Sequence, residues 1–163
     1  MTKPKFFIAT VTVFLLAAST TSAQKKSPVE GVWKLIEWRE HGDISTSPQP
    51  GLIFLTKGYH SVTVLMSPRT GVEPPRERGK LTDAEKIERF EHWKSFIGIS
   101  GTYEVKNSML IMRPIVAKSL WEMNRKAPQA SRFKLEGANT IWVLPTEASA
   151  MAGGLQMKFR KVE

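Results

Sequence analysis

The chain has 163 residues, 41% hydrophobic and 24% charged, and its 24 lysines and arginines against 15 acidic residues give a formal net charge of +9. This length and composition suit one globular domain. The absence of cysteine excludes disulfides, a thiol nucleophile and an N-terminal lipid anchor built on cysteine.

Lys3 and Lys5 precede an apolar run over 6–18, broken only by Thr10 and Thr12, and Thr21, Ser22 and Ala23 then supply small residues. The pattern predicts a cleavable signal peptide over 1–23, cut after Ala23. The run is shorter than the ~20 residues of a bilayer span, and an uncleaved anchor is the alternative. Cleavage leaves a short linker over 24–30, then one domain over 31–163, in a periplasmic or secreted protein. The basic excess survives the loss of Lys3 and Lys5 and favours anionic partners such as a lipid surface or a carboxylate ligand. An inert basic surface is the alternative. Because the basic residues are scattered and not blocked, no specific nucleic-acid partner is expected.

Past residue 31 the dominant signal is short apolar runs separated by turn residues. Strands are predicted over 32–38, 52–56, 59–66, 100–105, 109–117, 131–135, 141–144 and 155–162. Lys57-Gly58, Lys106-Asn107-Ser108 and the stretch from Glu136 to Asn139 read as hairpin turns. In the last strand Leu155, Met157 and Phe159 alternate with Gln156, Lys158 and Arg160, the inward and outward pattern of a barrel wall. Pro114 calls for a bulge or an edge position.

One segment breaks this rhythm. Thr82 and Glu85 form a capping box, and Ile87, Phe90, Trp93 and Ile97 follow at near-helical spacing, predicting a helix over 83–96 with Glu85 and Arg89 as an i, i+4 pair. The proline- and glycine-rich stretch over 67–80 before it reads as a solvent-facing loop. The helix is either a lid over one barrel mouth, or a packed element whose Phe90 and Trp93 plug the barrel or cover its side. The expected fold is therefore all-β, an antiparallel eight-stranded barrel with one inserted helix.

Four segments in order, GVWKLIEW from Gly31, GLIFLTKGYHSVTVLM from Gly51, SGTYEVKNSMLIMRP from Ser100 and SRFKLEGANTIWVLP from Ser131, resemble the lipocalin-like domain family of small bacterial barrels. The resemblance implies a cavity for a small hydrophobic or amphipathic molecule, and some related barrels act as isomerases or cyclases. It further implies a barrel floor closed by Gly31 and Trp33, with Lys158 or Arg160 stacked on the indole. Where family members often carry histidine on the strand after the SGTYEV-like turn, this chain has Ile111, Met112, Arg113 and Pro114, so no polar role transfers there.

Phe54, Tyr59, Met66, Trp93, Tyr103, Met109, Ile111, Trp121 and Met157 are the candidate apolar wall, with Arg113 and Arg132 as candidate anchors for an anionic head group. Alternation places Arg113 in phase with Met109 and Ile111, either inward, with Glu37 as its nearest internal partner, or snorkelling at a rim. An enzyme on this scaffold would draw on Arg113, Glu37 or Tyr103. No catalytic motif, metal set or cofactor is expected: His41, His60 and His92 are dispersed, Glu88 and His92 form a lone i, i+4 pair, and the stretch from Gly98 to Gly101 lacks the final glycine of a nucleophile elbow.

Overall fold

Turn chemistry and side-chain alternation divide the chain into strands and helices in the computed structural model, which describes residues 27–68, 81–146 and 154–163. The expected signal peptide and most of the expected loop over 67–80 lie outside the described residues. The strands are β1 (Gly31–Glu40), β2 (Asp43–Ser45), β3 (Gly51–Thr56), β4 (Tyr59–Leu65), β5 (Phe96–Lys106), β6 (Met109–Ala117), β7 (Gln129–Leu135), β8 (Thr140–Leu144) and β9 (Gln156–Lys161); the helices are α1 (Asp83–Lys94) and α2 (Leu120–Met123).

From β3 to β9 each strand pairs with the next in antiparallel fashion. Strand β1 pairs with β3 on one side and β9 on the other, which closes an eight-stranded barrel, while β2 pairs only with the far end of β1. The expected fold class is therefore borne out, and closure leaves the barrel strands no long open edge. Two of the expected hairpins are two-residue turns with positive φ at both positions, +47° and +81° at Lys57-Gly58 and +50° and +59° at Asn107-Ser108. That is the turn geometry whose twist matches paired strands.

Three local features depart from the expected pattern. The helix stops at Lys94, two residues early, because Phe96 and Ile97 pair with Leu65 and Val64 as the start of β5. Its start matches the capping box: Glu85 N–H donates to the Thr82 hydroxyl, and Thr82 N–H donates to the Glu85 carboxylate at 2.7 Å. The short β2 and α2 were not foreseen, being too brief for a periodic signal.

The third departure is a bulge in β1. Leu35 pairs with Phe159 and Glu37 with Lys158, so Ile36 is an extra residue and the side-chain phase inverts beyond it. Trp33 and Leu35 point inward before the bulge; after it Trp38 packs against the core and Glu40 reaches the interior, whereas Glu37 turns to the outer wall and pairs with Arg39 at 2.6 Å. A second bulge accommodates Pro114: Ser100 pairs with Val116 and Gly101 with Pro114, leaving Ile115 extra. Gly101 permits this, since a Cβ there would sit 2.0 Å from the Arg113 carbonyl oxygen.

The core sits toward one end of the barrel. Trp33 is fully buried, and its Nε1–H donates to the Val29 carbonyl at 2.8 Å, so the described part of the expected linker is a turn folded under the barrel. The cation over Trp33 is Lys161, with Nζ 5.4 Å from the ring centroid, and not Arg160 or Lys158 as expected. Alternation gives the reason: Lys161 shares the inward phase of Met157 and Phe159, whereas Lys158 and Arg160 lie in the other phase. Gly31 has φ +145°, and a Cβ there would meet the Glu163 carbonyl oxygen at 2.4 Å, so glycine lets the last strand cross the floor.

Candidate functional site

Away from Trp33 the barrel interior is not filled. A cavity of about 720 Å³ lies between the strand walls and a rim formed by the two helices. Ile53, Val62, Val64, Ile97, Ile99, Leu110, Met112, Val143 and Met157 give it an apolar wall, all of them inward residues of their strands. The size matches pockets that take a single small ligand.

At the rim, Phe90 and Trp93 of α1 and Trp121 of α2 line the opening while remaining 60%, 57% and 61% exposed. The helix buries none of its residues, so Phe90 and Trp93 flank the mouth and do not plug the barrel. Lys118, just past β6, fastens the end of α1 to this rim. Its ammonium donates to the carbonyls of Trp93, Lys94 at 3.1 Å and Phe96 at 2.8 Å, and lies 5.3 Å from the Trp93 ring centroid. The first two are carbonyls that the helix C-terminus leaves open, and the third belongs to the start of β5. Desolvation of the ammonium lowers the Lys118 pKa.

Of the expected wall residues, Met66, Trp93, Trp121 and Met157 line the cavity. Tyr103 instead belongs to the packed floor, where burial first, and then the Glu30 carboxylate, push its phenol up against a smaller opposing effect of the Ser27 hydroxyl. Phe54 and Tyr59 are exposed on the outer wall, because Ile53, Leu55 and His60 take the inward phase of β3 and β4. Met109, Ile111 and Arg113 share a phase as expected, but it is the outer one: Leu110 and Met112 point in. The run is apolar on both faces, so alternation alone does not choose between them.

Both expected anchors are corrected with it. Arg113 lies outside and donates to the Glu104 carboxylate at 2.9 Å across the β5–β6 pair, and Arg132 is exposed on β7, whose Gln129, Ser131 and Phe133 form the inner face. Putting a charge in water and leaving the neutral phase inside avoids the desolvation cost of an unpaired guanidinium. Glu37, turned out by the bulge, offers no internal partner, so the acid, base and orienting groups expected of an enzyme are not gathered in the cavity.

The polar groups the barrel does bring to the cavity wall went unrecognised as such in the sequence. Glu40 reaches it only because of the bulge, and Gln129 precedes the expected start of its strand. His60 is the most informative. It is 4% exposed, its Nδ1 lies 3.1 Å from the Thr102 carbonyl oxygen, and its Nε2 is buried with no partner among the described residues. A signal existed, since His60 precedes Val62 and Val64 by steps of two on one strand.

Desolvation lowers the His60 pKa below its ordinary 6.5, with the Thr102 hydrogen bond opposing more weakly. The sign of the linkage follows. Below about pH 6.5 the unfolded chain takes up a proton that the folded barrel refuses, so stability falls as pH drops through that value and levels off below the folded pKa. Thermal unfolding between pH 7.5 and 5.5 should show a larger decrease in Tm for the wild type than for His60→Leu; parallel decreases would contradict this.

On the outer wall, Trp142 is stacked under Arg39 and Lys158, with centroid distances of 4.6 and 5.0 Å, and donates to Glu136 at 2.8 Å. Lys158 and Trp142 together hold the Glu136 carboxyl below the usual carboxylate range. This cluster staples β8 to β9 and β1 and lies apart from the cavity.

A closed barrel with its strands joined in sequence and a tryptophan on the first strand at the closed end is the lipocalin-like fold. No family model matches the chain, and no curated protein matches it. Among solved structures it is similar to a lipocalin-like protein from Bacteroides uniformis ATCC 8492, at 14% identity and a TM-score of 0.47, over 83% of this chain and 99% of that one. It is also similar to an uncharacterized protein from Bacteroides eggerthii DSM 20697, at 12% identity and a TM-score of 0.45, over 81% of this chain and 98% of that one.

Proposed function

We propose that the barrel is an exported container that binds one small, mainly apolar molecule. The observation that carries this reading is the cavity of about 720 Å³ with an apolar wall and an open rim. Burying an apolar molecule there removes both surfaces from water, at about 25 cal/mol per Å². The wall includes Met66, Met112 and Met157, whose flexible thioethers adapt to more than one shape.

Saturable binding of the neutral apolar dye N-phenyl-1-naphthylamine, one per chain, tests the reading; dye emission that stays at its value in buffer would refute it. Export rests on the sequence over 1–23, and the mature chain is expected to begin at Gln24 when its N-terminus is sequenced. An intact N-terminus in carbonate-resistant membranes would mean an uncleaved anchor.

A second reading is favoured by the rim itself. Ile87 and Phe90 on α1 and Leu120, Trp121 and Met123 on α2 are exposed apolar side chains beside the mouth of a basic protein. Such a surface suits shallow docking on an anionic lipid layer. Co-sedimentation with anionic but not zwitterionic vesicles would support it.

A further inference from the structure

An apolar cavity selects by shape, and a polar group on its wall selects by chemistry as well. Gln129 opens β7, is 7% exposed and lines the cavity. It pairs in register with Met112, which lines the same space. Its carboxamide makes no hydrogen bond among the described residues. The buried polar atoms that are both unpartnered and sealed from solvent belong to Ser27, His60, Tyr103, Glu122 and Ser131, and Gln129 is not one of these. Its carboxamide is therefore unpartnered and still reachable, and the space it faces is the cavity.

The other polar groups of the wall are already paired or less buried. The Lys118 ammonium donates to three carbonyls, Lys94 pairs with Glu91 at 2.8 Å, and Glu122 faces Arg125 at 3.7 Å. Glu40 and Ser119 are less buried than Gln129. A buried carboxamide without partners is costly, and it holds N–H donors beside a C=O acceptor. The ligand group that satisfies it must accept and donate side by side.

We infer that the cavity takes an apolar molecule ending in a neutral carboxamide or lactam, whose C=O accepts from Gln129 Nε2–H and whose N–H donates to Gln129 Oε1. The inference rests on the container reading above and names the ligand's head group. An ester of the same length accepts one hydrogen bond but returns none, and a carboxylate would also give up the hydration of its charge. The anionic ligand expected from Arg113 is thus replaced by a neutral one, since that arginine lies on the outer wall.

Displacement of N-phenyl-1-naphthylamine by octanamide and by methyl octanoate, from the wild type and from Gln129→Met, tests this. The substitution keeps the length of the side chain and removes its amide. It should weaken octanamide about 30-fold, the effect of two ordinary hydrogen bonds, and the ester about fivefold, the effect of the one it can accept. Equal losses, or no loss in either, as when water alone serves Gln129, overturn the amide inference and leave the container reading standing. Dye that binds but is displaced by neither compound has the same meaning, whereas dye that never binds overturns both. If Gln129→Met does not fold, nuclear Overhauser contacts in the wild type decide. Contacts from the Gln129 side-chain NH2 to the C2 methylene of bound octanamide are expected; contacts to the terminal methyl instead, or none, overturn the inference.

Discussion

Trp33→Ala is expected to lower the stability of the domain by about 3–5 kcal/mol, the range for deleting a large buried aromatic. Trp33 is fully buried at the floor of the barrel, where its ring packs within the core and its N–H satisfies the Val29 carbonyl. Its removal leaves a hole beneath the closed end, an unpaired carbonyl, and Lys161 without the ring it covers. Urea unfolding followed by far-ultraviolet circular dichroism measures this directly. Trp33→Phe keeps the packing but not the N–H donor and should recover more than half of the loss. A Trp33→Ala variant within 1 kcal/mol of the wild type would mean that the floor is not what holds this barrel shut.

Val62→Trp is expected to abolish small-molecule binding, by at least about 100-fold, while keeping the fold. Val62 lies inward between His60 and Val64 and lines the cavity. An indole there has free volume to enter, so it occupies the ligand's space without the full penalty of about 1–3 kcal/mol that extra volume incurs in a filled core. Phe54→Trp on the outer wall is the matched control and should leave N-phenyl-1-naphthylamine binding unchanged. Equal loss in both variants, or none in either, would place the dye outside the barrel.

The legible part of the fold was that written in short-range chemistry. Turn residues such as Lys57-Gly58 and the Thr82–Glu85 capping box act within four residues, so their geometry follows from local sequence. What was not legible was phase. Met109, Ile111 and Arg113 share a phase, but which face of β6 meets the interior is set by its register with β5 and β7, and a run that is apolar on both faces does not reveal it. Glu37 and Glu40 exchanged sides because of one extra residue at Ile36, which pairing with β9 reveals and periodicity within β1 does not. Lys161 could have been found, because the alternation read from the last strand already put it in phase with Met157 and Phe159. The dispersed histidines form no metal set, yet the position of His60 two residues before Val62 already places it on the inner face of its strand.

The central claim is that the barrel interior, and not its surface, holds a small molecule. Native mass spectrometry of the protein isolated from its own cells, wild type beside Val62→Trp, tests it most directly. The account predicts a discrete added mass of one small molecule per chain in the wild type and the bare polypeptide mass in the variant. The bare mass in both, or the same adduct in both, would contradict it.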